Sequence, residues 1–239
     1  MAGIIRYLKN EILNLIPTKF QDKTLTSTNF LGFAKYSFSQ EGEDMILSKL
    51  LEGVEKGFFL DIGAHHPFRF SNTYSFYLKG WRGINIDAMP ESMTLFNKYR
   101  NEDINLEIPI AKQKRILPFY TYNESALNTF SENLANERGE PKKVYQLEAN
   151  PLSDILDKYL PSNIKNIDFM SVDVEGLDLE VLESNNWDKY KPTIIAIESL
   201  VTANDIFSSL NSEVAIYLNS KNYSLCSKSD NTLFFRLKD

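Results

Sequence analysis

From Gly57 onward, short apolar runs alternate with segments of helical periodicity, the pattern of a sheet with helices on both faces. Five strands are expected, at Phe58 to Ile62, Gly83 to Ala88, Asn105 to Ala111, Ile167 to Val174 and Thr193 to Glu198. Helices are expected from Asn72 to Lys79, Glu91 to Arg100, Leu177 to Asn186 and Asn204 to Asn219. Such alternation implies parallel strands, right-handed crossovers and a ligand crevice at the carboxyl ends of the strands. The end of the chain departs from it. Tyr223 to Ser227 and Thr232 to Leu237 flank the polar stretch Lys228 to Asn231 and predict an antiparallel hairpin. The class is therefore α/β, a Rossmann-like, mostly parallel sheet that closes on an antiparallel pair.

Two regions fall outside this alternation. Ile4, Ile5, Leu8, Ile12, Leu15 and Ile16 recur at helical spacing before Pro17, with Arg6, Lys9 and Glu11 on the other side. This amphipathic helix is too short to span a bilayer. It suits packing on the body of the protein or on another subunit, which would make it a site of self-association, or contact with a membrane surface. Residues 1–35 are thus expected as a helix and linker, and 36–239 as the main domain. Within that domain, Lys112 to Asn166 forms a long excursion. Leu117 to Tyr122 reads as a strand, Asn123 to Gln146 is polar, and Ser153 to Tyr159 reads as a short helix capped by Ser153. A connection this long in a compact domain predicts a lid or substrate loop.

Composition narrows the chemistry. The 239 residues include one cysteine, Cys226, and two histidines, His65 and His66. One cysteine allows no internal disulfide and no cysteine-rich zinc site, which favours a reducing, cytoplasmic setting. A net charge of −6 argues against nucleic acid as a partner, and no uncharged apolar stretch is long enough to be a transmembrane segment.

The strand ends carry the candidate site. Phe58 to Ile62 runs into Gly63, whose missing side chain permits a tight turn and a close ligand approach. A dinucleotide enzyme would need further glycines, but Ala64, His65, His66 and Pro67 follow. Without a diphosphate cradle, the turn suits a ligand that brings a cation and an adenosine. Asp87, at the end of the second strand, lies near the roughly 20-residue offset at which an acid holds ribose hydroxyls. Asp173 and Glu175 follow the fourth strand beside Gly176, and Glu198 ends the fifth. With Asp61, these place carboxylates on four strand ends at one rim, a setting for a cationic ligand or a divalent metal.

Asp61-Ile-Gly-Ala64, Asn85-Ile-Asp-Ala88, Ser171-Val-Asp-Val-Glu-Gly176 and the closing hairpin resemble the FkbM-type methyltransferases, a branch of the class I S-adenosylmethionine-dependent enzymes. The resemblance runs from about Ser39 to the C-terminus, and His65-His66-Pro67 resembles a subgroup of the family. It implies that Asp61, Gly63 and Ala64 line the methionine part of the cofactor, with His65 and Ala88 beside them. Asp87 would hold the ribose, and Asn72 or Thr73 would either cap the next helix or reach the cofactor's amino acid end. Asp173 would face the reacting methyl. Gln40 and Glu43, in the segment Ser39 to Asp44, are the polar residues that could close over the pocket.

The resemblance further implies O-methylation of a hydroxyl on a sugar, glycan or related natural product. Such an acceptor must lose a proton, for which His66 is the expected base, oriented by Asp173 or Glu175. The metal alternative groups His66, Asp173 and Glu198. Tyr120, Tyr122 and Trp81 are the aromatic residues that could stack on a sugar. Two other classes stay open on the residues alone: an NAD-dependent oxidoreductase, and a non-catalytic adenosine-binding or assembly module.

Overall fold

A computed structural model describes residues 35–174, 176–199 and 206–238. The predicted N-terminal helix, Glu175 and the start of the helix expected from Asn204 lie outside the described residues. Ser37–Asp239 form one compact unit.

Seven strands form one sheet in the order β3-β2-β1-β6-β7-β9-β8. They are β1 (Phe58–Ile62), β2 (Arg82–Asp87), β3 (Ile104–Glu107), β6 (Phe169–Val172), β7 (Ile194–Glu198), β8 (Tyr223–Lys228) and β9 (Thr232–Leu237). The first five are parallel. β9 runs antiparallel to β7, and β8 antiparallel to β9, as the terminal hairpin pattern predicts. The strand order reverses between β1 and β6, and the crevice of an open α/β sheet lies at that switch. This is the Rossmann-like, mostly parallel sheet closed by an antiparallel pair that the pattern predicts.

Strand alternation assigns the two faces. Leu60, Ile62, Ile84, Ile86, Met170, Val172, Ile195 and Ile197 pack on one side under α5 (Leu152–Tyr159), α6 (Asp178–Glu183) and α8 (Glu213–Ser220). Phe59, Phe169, Ile194, Ala196 and Phe234 face the other, under α1 (Glu43–Leu50) and α2 (Tyr74–Leu78), which bring Leu47 and Phe76, with Trp81 just beyond α2. Because both faces are covered, the central strands read as nearly unbroken apolar runs. A third helix, α3 (Met93–Tyr99), buries Met93 and Phe96 against Ala64. Among the described residues, no helix is long and apolar enough to cross a membrane.

Several boundaries differ from the pattern, each for a local reason. The third strand stops at Glu107, and Ile110 instead bridges Asn150 beside the excursion. The fifth helix is broken: α7 (Ile206–Leu210) ends before Ser212, whose Oγ accepts the Ala215 N–H and starts α8 afresh. Ser153 does not cap α5. Pro151 occupies the N-cap, and the free Leu152 N–H donates to Ser184 Oγ at 3.0 Å.

The excursion is structured throughout its polar part. β4 (Arg115–Thr121) and β5 (Lys143–Ala149) pair antiparallel as a separate two-stranded ribbon. Between them lie a 3₁₀ turn at Ser125–Leu127 and α4 (Glu132–Arg138), capped by Ser131 Oγ on Leu134 N–H.

Candidate active site

A cavity of about 540 Å³ opens at the carboxyl ends of β1, β2, β6 and β7, within the usual size of a small-molecule site. Its floor comes from the strand ends Ile62, Gly63, Ile86 and Asp87, with Asp173 and Glu198 at the other side. Met89, Leu95, Ile108 and Ile110 supply an apolar wall. The excursion contributes Phe119, Leu127, Phe130 and Arg138 to the wall of the cavity. A small polar bay adjoins it and shares Gln40, Phe70, Asp173, Glu198 and Asn231.

Gly63 is required by packing. Its φ is +85°, and an added Cβ would sit 1.6 Å from the Asp173 carbonyl oxygen. The turn is therefore held against the exit of β6, with Asp173 N–H donating to Ile62 O at 2.9 Å and Gly63 N–H to Ile86 O at 2.9 Å. The close approach inferred for a ligand is already made by the neighbouring strand.

Asp87 stands at the base of the cavity. Its Oδ2 accepts the His65 N–H at 2.8 Å and its Oδ1 the Met89 N–H at 2.7 Å. Burial pushes its pKa up, while those two N–H donors pull it down. Each oxygen keeps lone-pair capacity for further donors such as ribose hydroxyls. Ala88 lines the same wall.

Asp61 has a different setting. It is 5% exposed, lies outside the walls of both cavities, and accepts the Thr73 hydroxyl at 2.6 Å. Thr73 Oγ1 in turn accepts from the fully buried Arg100, which also pairs with Asp103 at 2.9 Å. Burial raises the Asp61 carboxyl to about 6, opposed by the Thr73 hydrogen bond and the Arg100 charge. Neither expected cap forms at α2. Ser71 Oγ accepts the Tyr74 N–H, Thr73 turns to Asp61, and Asn72 Nδ2 donates to Ser171 Oγ at 3.0 Å in the wall of the bay.

The two histidines part company. His65 lines the cavity, with Nε2 2.9 Å from Ser125 Oγ and Nδ1 buried without a hydrogen-bond partner. Burial lowers its pKa despite the Asp87 charge. His66, expected as the base, lies outside the cavity wall. Its Nδ1 accepts the N–H groups of Phe68 and Arg69, both at 3.1 Å, and burial lowers its pKa as well. The ring closes its own loop.

The remaining expectations sort by geometry. The metal grouping of His66, Asp173 and Glu198 is not assembled: among the described residues, no three His, Cys, Asp or Glu side chains are placed to hold an ion. Gln40 lines the cavity and the bay, and Glu43 lines the bay. Glu41 ties this segment to the terminal hairpin by accepting from Asn231 N–H and Nδ2 at 2.8 and 2.7 Å. Trp81 is core, and neither Tyr120 nor Tyr122 lines the cavity. The aromatic wall is instead Phe119 and Phe130, whose ring centroids are 4.5 Å apart, together with Phe70. Phe130 and Arg138 fall in the stretch read only as polar loop.

Among solved structures, a methyltransferase FkbM from Methylobacillus flagellatus KT aligns at 13% identity and TM-score 0.46, over 87% of this chain and 46% of that one. The chain thus spans about half of that protein's length. A protein assigned as an O-methyltransferase, from Klebsiella pneumoniae, aligns at 9% identity and TM-score 0.47, over 98% of this chain and 97% of that one. A precorrin-6y C5,15-methyltransferase from Geobacter metallireducens GS-15 aligns at 10% identity and TM-score 0.39, over 80% and 84%. No curated protein sequence matches the chain. The family model of the methyltransferase FkbM domain matches residues 61–225, from the end of β1 into β8, and the chain belongs to that family.

Proposed function

We propose that this protein transfers a methyl group from S-adenosylmethionine to a hydroxyl of a sugar, glycan or related natural product. The observation that carries the reading is the cavity at the β1–β6 switch with Asp87 at its base and no glycine-rich diphosphate cradle. The carboxylate, the apolar wall of Met89, Leu95 and Ile108, and the acidic rim at Asp173 and Glu198 suit a cationic nucleoside. When bound, S-adenosylmethionine supplies an activated methyl group.

The protein then has to hold the acceptor in line, exclude water and take a proton. In this reading the excursion, which forms part of the cavity wall, shields the bound reactants from water. His65 is the base in this reading, replacing His66. Its lowered pKa keeps the imidazole neutral near pH 7, ready to accept the hydroxyl proton. Asp173, on the cavity rim after β6, orients the acceptor.

Calorimetric titration with S-adenosylmethionine, and with NAD as the competing cofactor, tests the first part. Binding of the former is expected, weakened about 10- to 100-fold in Asp87→Ala through loss of the ribose hydrogen bonds. Binding of NAD alone would refute the reading. A screen of sugars with mass detection of one added methyl group tests the acceptor.

A further inference from the structure

The loop between β1 and α2 holds two non-glycine residues in the left-handed region, His65 at φ 53° and Phe70 at φ 58°. The His65 N–H bond to Asp87 accounts for the first. Phe70 is a different matter. A bulky side chain seldom adopts this backbone, because its Cβ crowds the following carbonyl. Such strain persists only where the surroundings impose it, and it gathers at functional positions. Burial of the ring does not offset it here, since Phe70 remains 39% exposed.

What the conformation achieves is placement. Phe70 stands in the wall of both the main cavity and the polar bay. The Arg69 guanidinium covers its ring at 4.2 Å, and Arg69 is itself held by Glu124 at 3.0 Å. The His65 ring lies nearly parallel to it, at 22° and 6.2 Å between centroids. Among the described residues, Phe70 is the one aromatic in the bay, where Gln40, Asn72, Asp173, Glu198 and Asn231 accompany it. One aromatic face on the wall of the larger cavity, edged by the amides and carboxylates of a bay of only about 40 Å³, matches a saturated, hydroxylated ring that lies in the larger cavity and reaches the bay with its substituents. The apolar C–H face of such a ring packs on the aromatic, and its peripheral hydroxyls meet the polar groups.

We propose that Phe70 is a specificity-determining residue, held in a strained backbone so that its ring forms a platform for the C–H face of a pyranose acceptor. This rests on the methyltransferase reading above. The variants Phe70→Gly, which relaxes the backbone and removes the ring, and Phe70→Tyr, which keeps both features, test it.

The probes are S-adenosylhomocysteine by calorimetry and a panel of methyl hexopyranosides by saturation-transfer NMR on the S-adenosylhomocysteine-loaded protein. Wild type and Phe70→Tyr should saturate the ring protons of at least one glycoside. Phe70→Gly should weaken that binding about tenfold, keep S-adenosylhomocysteine affinity within about threefold, and melt no lower than wild type. The proposal is overturned if Phe70→Gly melts lower, if it binds the glycoside as wild type does, or if no glycoside binds a wild type that does bind S-adenosylhomocysteine. Failure of wild type to bind S-adenosylhomocysteine would overturn the methyltransferase reading itself, and this inference with it.

Discussion

Replacing Gly63 by alanine tests whether the turn after β1 is built by strand packing. The new Cβ would sit 1.6 Å from the Asp173 carbonyl oxygen, against an ordinary contact of 3.4 Å or more, so the β1 turn and the β6 exit must separate. That movement pulls on the Asp173 N–H bond to Ile62 O and the Gly63 N–H bond to Ile86 O, both 2.9 Å. The left-handed backbone costs alanine about 1–2 kcal/mol. Crowding adds about 1–3 kcal/mol, for a total of about 2–5 kcal/mol. Gly42→Ala is the control, with φ +87° and ψ 21° in the left-handed region and nothing within 4 Å of its Cβ, so it carries the backbone term alone. Urea denaturation of both variants at a common m-value gives the difference directly. Equal losses in the two would refute the packing argument. A larger loss for Gly63→Ala, with weakened S-adenosylmethionine binding, is expected because Asp173 lines the same cavity.

Two further predictions follow from the polar groups around this turn. Burial raises the Asp61 carboxyl from 3.8 to about 6, so between those values the folded state holds a proton that the unfolded chain has released. Stability should therefore fall as pH rises through that window, by about 3 kcal/mol for a shift of about two units. Asp61→Asn keeps an acceptor for Thr73 and should flatten this component; a wild-type-minus-variant difference in urea midpoint that does not vary with pH would sink the assignment. For the histidines, His65→Ala should lower kcat by about 10²-fold or more. His66→Ala should cost about 1–2 kcal/mol of stability through its two lost N–H contacts, with kcat nearly retained. Initial rates and melting curves on both variants decide it, and the reverse pattern would restore His66 as the base.

The sheet was legible because period and length agree: β1 and β9 fall on the expected residues, and the other strands of the sheet shift by one to four at their ends. The excursion was less so. Its ribbon face alternates Ile116, Pro118 and Tyr120 with Leu117 and Phe119, but β5 reads Lys-Val-Tyr-Gln-Leu-Glu-Ala, and with few apolar partners it passes as loop. Phe130 was the available signal, a large aromatic residue midway along a polar stretch. His66 falls outside the cavity wall for a reason no composition reveals. Which of two adjacent imidazoles faces the cavity depends on the left-handed turn at His65, and that turn is set by an Asp87 contact more than 20 residues away.

The acidic row behaves as two populations, and strand alternation explains the division. Asp61 lies two residues from Phe59 and registers with Asn85 and Ser171, so its side chain belongs to the face covered by α1 and α2. A carboxylate there needs partners from that layer, which are Thr73 and, through it, Arg100. Asp87, Asp173 and Glu198 stand at or just beyond the last paired residues of their strands, and they line the cavity. Helix α2, α3 and the buried arginine thus bear on the turn after β1 from behind, while the three rim acids bear on it from the front. Loss of an acid behind the turn should first be felt as stability, and loss of one at the rim as affinity.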